Sequence, residues 1–396
     1  MKMFKSDFPI FQNNADLVFL DSAASAQKPK CVLDAMTDFY THSYSNVHRG
    51  NCDLAGMATN LYEHARQVVA DFIGTNSKNV VFTSGATAAV NLVVNGLEYD
   101  IRPSDEILIF IGEHHADFVP WQQLCLRTNA VLKIVEVTSD GRVDMADFET
   151  KLSDRTRLVA VTHQSNVLGV ENPVKEIVSL AHQHGALVLI DGSQSVAHMP
   201  INVSDIACDY FVFSGHKLYG PTGIGVLYGK TEALERLAPT VFGGDMVREV
   251  TTFKTTFADL PARLEAGTPP FVEAVGLGEA IRYVSGIGME KIASHEIALT
   301  QKLIEQLKKI NGIQILGGGY YNTGLVSFNI EGIHPSDIAF ALSKQHICVR
   351  VGHHCAMPIH ERLKTSVSLR VSFGLYNDET DVDAFIRALK KALSFF

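Results

Sequence analysis

Asp191 and Lys217 are the first pair whose types and spacing suggest chemistry. Asp191 closes the apolar run Ala-Leu-Val-Leu-Ile, and Lys217 follows Tyr-Phe-Val-Phe within Ser-Gly-His-Lys. A lysine against a buried apolar strand has its ammonium partly stripped of water, which lowers its pKa. The neutral amine can then form a Schiff base with an aldehyde. Pyridoxal phosphate is the common aldehyde cofactor, and a buried carboxylate facing its ring nitrogen keeps that nitrogen protonated and the ring electron-withdrawing. Taken singly, an Asp at a strand end is usually a helix cap, and a Lys there usually reaches solvent. The pair gains weight from a phosphate site nearby. Thr83-Ser84-Gly85-Ala86-Thr87 follows an apolar run and opens the helical stretch Ala88–Leu97, so backbone N–H groups and hydroxyls converge as a phosphate requires. Ser214 and His216 add donors from the loop before Lys217.

A second centre is Cys355, in Arg350-Val-Gly-His-His-Cys-Ala-Met-Pro358. Gly352 and Pro358 suggest an ordered loop rather than a strand or helix interior. Cationic and dipolar neighbours favour the thiolate, which is the nucleophile. The other cysteines, at 31, 52, 125, 208 and 348, lie in apolar or helical contexts and are expected to pack; no C-x-x-C pair marks a zinc or disulfide framework. His114-His115 and His353-His354 invite a metal reading, but adjacent side chains rarely point at one ion, so no metal is expected. A His just past a strand can instead stack on a cofactor ring, and Arg370 can hold a carboxylate bidentately. Gly229-Lys230-Thr231 fails as a P-loop because Ile224 stands where its first glycine belongs.

The elements that must position these residues alternate. Short apolar runs at 79–82, 106–111, 131–137, 158–162, 187–190, 210–213 and 225–228 are separated by helical patterns such as 174–184, which argues for a mostly parallel α/β sheet. Ligands gather at the carboxyl ends of such strands, so residues 83–85, 113–115, 163–166, 191–194 and 214–217 should face one crevice. After about residue 270 the texture changes to a long amphipathic helix at 289–310, strands at 325–330, 347–351 and 366–372, and helices at 335–345 and 378–396. Lys plus Arg (34) against Asp plus Glu (43) leave a net charge of −9, which disfavours a generally basic nucleic-acid binder. No apolar run reaches the roughly 18 residues that span a bilayer, and Asp7 and Pro9 interrupt the start where a signal peptide needs its apolar stretch. A cytoplasmic setting, without nucleic acid or membrane, is expected.

Ser-Gly-His-Lys-Leu-Tyr-Gly-Pro-Thr-Gly (214–223), Asp-Gly-x-Gln (191–194), Glu-His-His (113–115) and Arg-x-Gly-x-His-Cys-Ala-x-Pro (350–358) together resemble a group II, Suf-type cysteine desulfurase of the class V aminotransferase-like enzymes. The resemblance runs from Leu20-Asp-Ser-Ala-Ala-Ser to the final helix. It implies fold type I of the pyridoxal-phosphate enzymes, with a seven-stranded sheet between helices. Residues 18–274 would form the large cofactor-binding domain, and 275–396 with 1–17 a smaller α+β domain carrying the Cys355 loop. Lys217 would carry the cofactor, Asp191 face its pyridine nitrogen, Gln194 its phenolic oxygen and His114 its ring face. Ala86, Thr87, Ser214 and His216 would hold the phosphate, joined by Gly267 and Thr268 of a partner subunit. Asn166, Arg350 and Arg370 would orient the substrate, and His48-Arg49 would approach the neighbour's site in a homodimer. Removal of sulfur from L-cysteine would leave L-alanine and a Cys355 persulfide, passed to a Suf- or Csd-type acceptor for iron–sulfur cluster assembly. A selenocysteine lyase acting on L-selenocysteine, or another class V β-elimination enzyme or aminotransferase, is the alternative. The family's phosphate loop reads Gly-Thr-Thr-Glu where this chain has Gly85-Ala86-Thr87-Ala88; Phe242 replaces a glycine and Pro270 an asparagine.

Overall fold

The computed structural model describes residues 4–317 and 323–395. Seven strands, β1 (Val80–Thr83), β2 (Glu106–Phe110), β3 (Val131–Val135), β4 (Thr156–Thr162), β5 (Leu187–Asp191), β6 (Tyr210–Ser214) and β7 (Gly225–Gly229), form one sheet in the order β1-β7-β6-β5-β4-β2-β3. Neighbours run parallel except at β7, which is antiparallel to β1 and to β6. These are the seven apolar runs of the sequence, with ends shifted by a residue or two.

The sheet is apolar on both faces, and successive residues of one strand enter different cores. In β2, Leu108 and Phe110 join one buried cluster while Ile107 and Ile109 join the other. That is the period of two that a pleated strand imposes, and burial on both faces explains why these strands read as unbroken apolar runs. The covering helices are α1 (Asp53–Ile73), α2 (Ala86–Gly96), α3 (His115–Thr128), α4 (Val174–Gln183) and α5 (Phe271–Ile287). Residues of α1, α4 and α5 line the first core, and residues of α2 and α3 the second.

A second sheet is antiparallel, with β8 (Ile313–Ile315), β9 (Leu325–Ile330), β10 (Arg350–Gly352) and β11 (Ser368–Ser372) in the order β8-β9-β11-β10. It buries Phe328, Leu369 and Val371 against α6 (Met289–Leu307) and a last helix, Glu379–Leu393, which opens on a reciprocal Asp378–Asp381 capping box. One expectation is corrected here. The strand at 347–351 is split: Ile347–Cys348 pairs with Val18–Phe19, while Arg350–Gly352 pairs with β11. Cys355 lies in the loop between Arg350–Gly352 and the helix α7 (Met357–Arg362). Cys125 and Cys208 are buried as expected, but Cys52 and Cys348 are exposed. No described helix is long and apolar enough to cross a membrane.

Candidate active site

Asp191 and Ser214 are the last residues of β5 and β6, and Thr83 is the last of β1. The turns that follow β2 and β4 carry Glu113–His115 and His163–Asn166. Because β1, β2, β4, β5 and β6 share one direction, all five expected clusters lie along one edge of the sheet.

Asp191 accepts the Ser193 N–H at Oδ1 (2.8 Å), and among the described residues nothing bonds its second oxygen. Lys217 keeps some surface open to the crevice, yet protein packs closely around its amine. That burial holds its pKa below the usual lysine range, against the pull of Asp191; Arg370 and Arg350 lower it further. The amine makes no hydrogen bond among the described residues, so its lone pair is uncommitted. His114 caps α3 by accepting the Ala116 N–H at Nδ1 (3.1 Å), which puts its proton on Nε2. Burial, with the nearby Lys217, lowers its pKa to about 4, so the ring is neutral at ordinary pH.

At the start of α2 the Ser214 hydroxyl oxygen accepts the Ala86 N–H at 2.8 Å. Its own proton remains free to donate. The following amides, of Thr87 and Ala88, have no intrahelical acceptor. A side chain at Gly225 would place its Cβ 2.4 Å from the Cα of Gly85, so the glycine in β7 is what lets this loop settle on the sheet. The missing hydroxyl and carboxylate at 86 and 88 therefore leave the backbone of the cradle intact.

The thiol approaches from the second sheet. His354 and Cys355 both have left-handed backbone (φ 51° and 58°), a conformation that costs a non-glycine residue about 1–2 kcal/mol. Tethers from elsewhere hold it. Asn166 donates to the His354 carbonyl (2.6 Å), and the buried His354 ring meets the Ser368 hydroxyl (3.0 Å). His115 donates its backbone N–H to the Cys355 carbonyl (2.6 Å), and its Nε2 accepts the Met357 N–H (3.1 Å). Arg350 reaches Cys355 Sγ at 3.6 Å.

Arg370 is 1% exposed, with one guanidinium nitrogen on Asp21 (3.0 Å), another on the Asn166 carbonyl (2.9 Å), and its buried Nε without a partner among the described residues. Gln194 donates to the Ala23 carbonyl (2.9 Å), leaving Oε1 buried and unpaired. Lys217, Asp191, His114, Gln194, Ser214, His216, Asn166, Arg350, Arg370 and Cys355 thus converge. His48 and Arg49 do not: they are exposed and line a separate cavity of about 420 Å³ with Asp245 and Gly267. Thr268 lines another with Thr83 and Ser84.

Three contributors were missed from the sequence. His115 clamps the thiol loop. Lys28 donates to the carbonyls of Ala26 and His216 (3.2 Å to the latter), bracing the residue before Lys217; burial lowers its amine to about 8. Arg66 grips Glu265 with two nitrogens (2.6 and 3.0 Å), and Glu265 accepts the Phe82 N–H, fixing the Gly267-Thr268 segment beside β1. Only the doubled histidine was a visible signal.

A strand-end carboxylate, an uncommitted buried amine and a helix-start cradle are the parts that Schiff-base chemistry on a phosphate-bearing aldehyde requires. The chain belongs to the aminotransferase class-V family, whose model matches residues 18–385. It is 44% identical to a probable cysteine desulfurase of Halalkalibacterium halodurans, covering 99% of this chain and 98% of that protein. Among solved structures it is similar to an apo cysteine desulfurase of Thermococcus onnurineus NA1 (TM-score 0.96, 36% identity, 100% and 99% of the two chains). It also matches the Escherichia coli cysteine desulfurase CsdA in an S-sulfonic acid form (0.93, 35%, 99% and 98%). The architecture is that of the fold type I pyridoxal-phosphate enzymes.

Proposed function

We propose that this chain is a pyridoxal-phosphate-dependent cysteine desulfurase that converts L-cysteine to L-alanine and a persulfide on Cys355. The observation that carries the reading is a thiol held in left-handed backbone, 3.6 Å from Arg350, over the crevice that contains Lys217. A transaminase needs the amine but has no use for that loop.

The residues present fit the cofactor. The uncommitted amine of Lys217 would hold it, the free oxygen of Asp191 would meet its ring nitrogen, and Gln194 its phenolic oxygen. The neutral His114 ring would cover its face. The Ser214 hydroxyl, His216, Thr87 and the first amides of α2 would hold its phosphate. Bound there, pyridoxal phosphate supplies an electron sink for bonds broken beside it.

The chain's own residues do the rest. The unpaired Nε of Arg370 would meet the substrate carboxylate, with the Asn166 carbonyl holding that guanidinium at another nitrogen. The amine of Lys217, its pKa lowered by burial, takes the α-proton and later returns a proton to the carbon fragment. Cys355 attacks the substrate sulfur as the thiolate; the carbon–sulfur bond's electrons stay with carbon, and alanine leaves. Arg350 reaches Sγ at 3.6 Å and holds the sulfur towards the substrate. The persulfide then passes to an acceptor protein of the Suf or Csd type, in the cytoplasm, for iron–sulfur cluster assembly. His48 and Arg49 stand outside this chain's own crevice while Gly267 and Thr268 line a cavity beside Thr83 and Ser84, and these exposed cavities suit a homodimer in which the four complete the neighbour's site.

Mass spectrometry of the protein after addition of L-cysteine should find one added sulfur on Cys355. The Cys355→Ala variant should keep the cofactor's visible absorbance and lose sulfide release. Unchanged cysteine turnover by that variant would reject the reading.

A further inference from the structure

Glu113 and Asp117 are both fully buried, and no Lys, Arg or His among the described residues bonds either carboxyl. Each has one oxygen satisfied by an N–H: Glu113 Oε1 by the Thr162 amide (2.8 Å) and Asp117 Oδ1 by the Trp121 indole (2.8 Å). The other two oxygens, Oε2 and Oδ2, are buried with no donor among the described residues, and the two side chains lie within hydrogen-bonding range of each other. The charged group that faces the pair from the sheet is Asp191, another carboxylate, at the end of β5 two strands from β2. Two negative charges this close in an apolar wall, with the Asp191 carboxylate nearby, repel one another, and no described cation bonds the pair. A single proton between Oε2 and Oδ2 gives each orphaned oxygen a partner. One proton held by both oxygens leaves the pair with a single negative charge in place of two.

We propose that Glu113 and Asp117 share one proton at neutral pH, and that this O–H···O bond positions His114 and His115. Residues 113 and 117 bracket the two histidines. Glu113 leaves β2 by a turn in which its N–H bonds the Phe110 carbonyl (3.1 Å), and the Asp117 N–H bonds the His114 carbonyl (2.8 Å). The shared proton staples the two ends of this segment. One histidine so held covers the cofactor site; the other clamps the Cys355 loop. Burial and Asp191 both raise the two carboxyls well above the usual carboxylate range, in keeping with a retained proton. When alkali removes it, two adjacent carboxylates repel across the segment. The roles of the histidines rest on the desulfurase reading; the shared proton does not.

The test separates the two. The wild-type-minus-Asp117→Asn infrared difference spectrum at neutral pH should show a protonated-carboxyl C=O stretch, present without cofactor and lost on alkaline titration. The Asn amide restores a hydrogen bond that cannot be deprotonated. Asp117→Asn should therefore turn over cysteine within about twofold of wild type at neutral pH and keep its activity to higher pH. Glu113→Gln should behave alike and serves if the first variant does not fold. Absence of the stretch overturns the shared proton whatever the enzyme's activity. Coincident alkaline limbs in wild type and variant overturn the positioning role. Failure to desulfurate cysteine with the stretch present would reject the functional reading instead.

Discussion

Asp191 and Ser214 close buried strands whose ladders run on both sides, so the floor of the crevice inherits its geometry from the sheet. His354 and Cys355 have no such support. They sit between β10 and α7 in left-handed backbone, kept there by Asn166 and His115 from the far side of the crevice and by Ser368 of β11. A floor built this way stays put during turnover. A loop held by a handful of tethers keeps its thiol positioned yet can release when a tether lets go, which suits a group that takes sulfur in one place and gives it up in another.

The floor breaks at Lys217. Replacing it with Ala should remove the cofactor's protein-bound visible absorbance and lower cysteine turnover by about a thousandfold or more, the scale of a lost acid–base group with a lost attachment. Far-ultraviolet dichroism should not change, because the lysine lies beyond β6. A variant that still bound the cofactor covalently would move the attachment elsewhere and dissolve the contrast between floor and loop.

The loop breaks at His115. His115→Leu removes the acceptor for the Met357 N–H while leaving the backbone bond to Cys355. Turnover should fall about 10- to 100-fold, as it does when a reacting group moves by about an ångström, with visible absorbance unchanged. Alkylation of Cys355 by iodoacetamide should speed up. Slower alkylation with the same loss of turnover would show that the histidine acts on the floor instead.

How much of this was legible follows the same division. Asp191, Ser214 and Lys217 were readable because an apolar run and the polar residue that ends it are local facts. Cys355 was readable through its basic neighbours and the resemblance, but its scaffold was not. His115 reaches Met357 across 242 residues, and nothing around residue 115 announces that. The split at 347–351 was hidden for a like reason: alternation identifies a strand but not its partners, and this segment changes partner midway. Cys52 and Cys348 were misplaced because an apolar context names the element and not the face. The carboxyl pair was invisible because Asp117 at a helix start reads as an ordinary favourable charge.

Asp21 sharpens the comparison with a smaller effect, since it belongs to the N-terminal run that braces β11 through a bridge to Ser372. Its carboxylate meets Arg370 (3.0 Å) and leaves the Nε edge free. Asp21→Asn keeps a hydrogen-bond acceptor but removes the opposing charge. KM for cysteine should change by about three- to tenfold, with kcat nearly constant, because the guanidinium would be reoriented rather than lost. A fall in kcat alone would place Asp21 on the reaction rather than on substrate binding.

The smallest effect at neutral pH is expected at His163, which lies on the floor and is 4% exposed with Nδ1 unpaired. Burial lowers its pKa from 6.5 to about 4, so the folded chain keeps it neutral where the unfolded chain would protonate it. The unfolded state then binds the extra proton, and stability rises with pH across that interval. The contribution is fully present above about 6.5 and is lost as pH falls towards about 4, amounting to about 3 kcal/mol at the acid end. His163→Gln cannot titrate. The denaturant midpoints of wild type and variant should therefore run parallel above pH about 7 and converge, or cross in the variant's favour, on acidification. His354, on the loop, is held lower still, at about 2, so acid should charge the floor's imidazoles before it reaches the one that supports the thiol. A wild-type protein whose 353–356 amides lost protection from hydrogen exchange at a higher pH than the one at which its cofactor absorbance changed would reverse that order and show the loop, not the floor, to be the first element to yield.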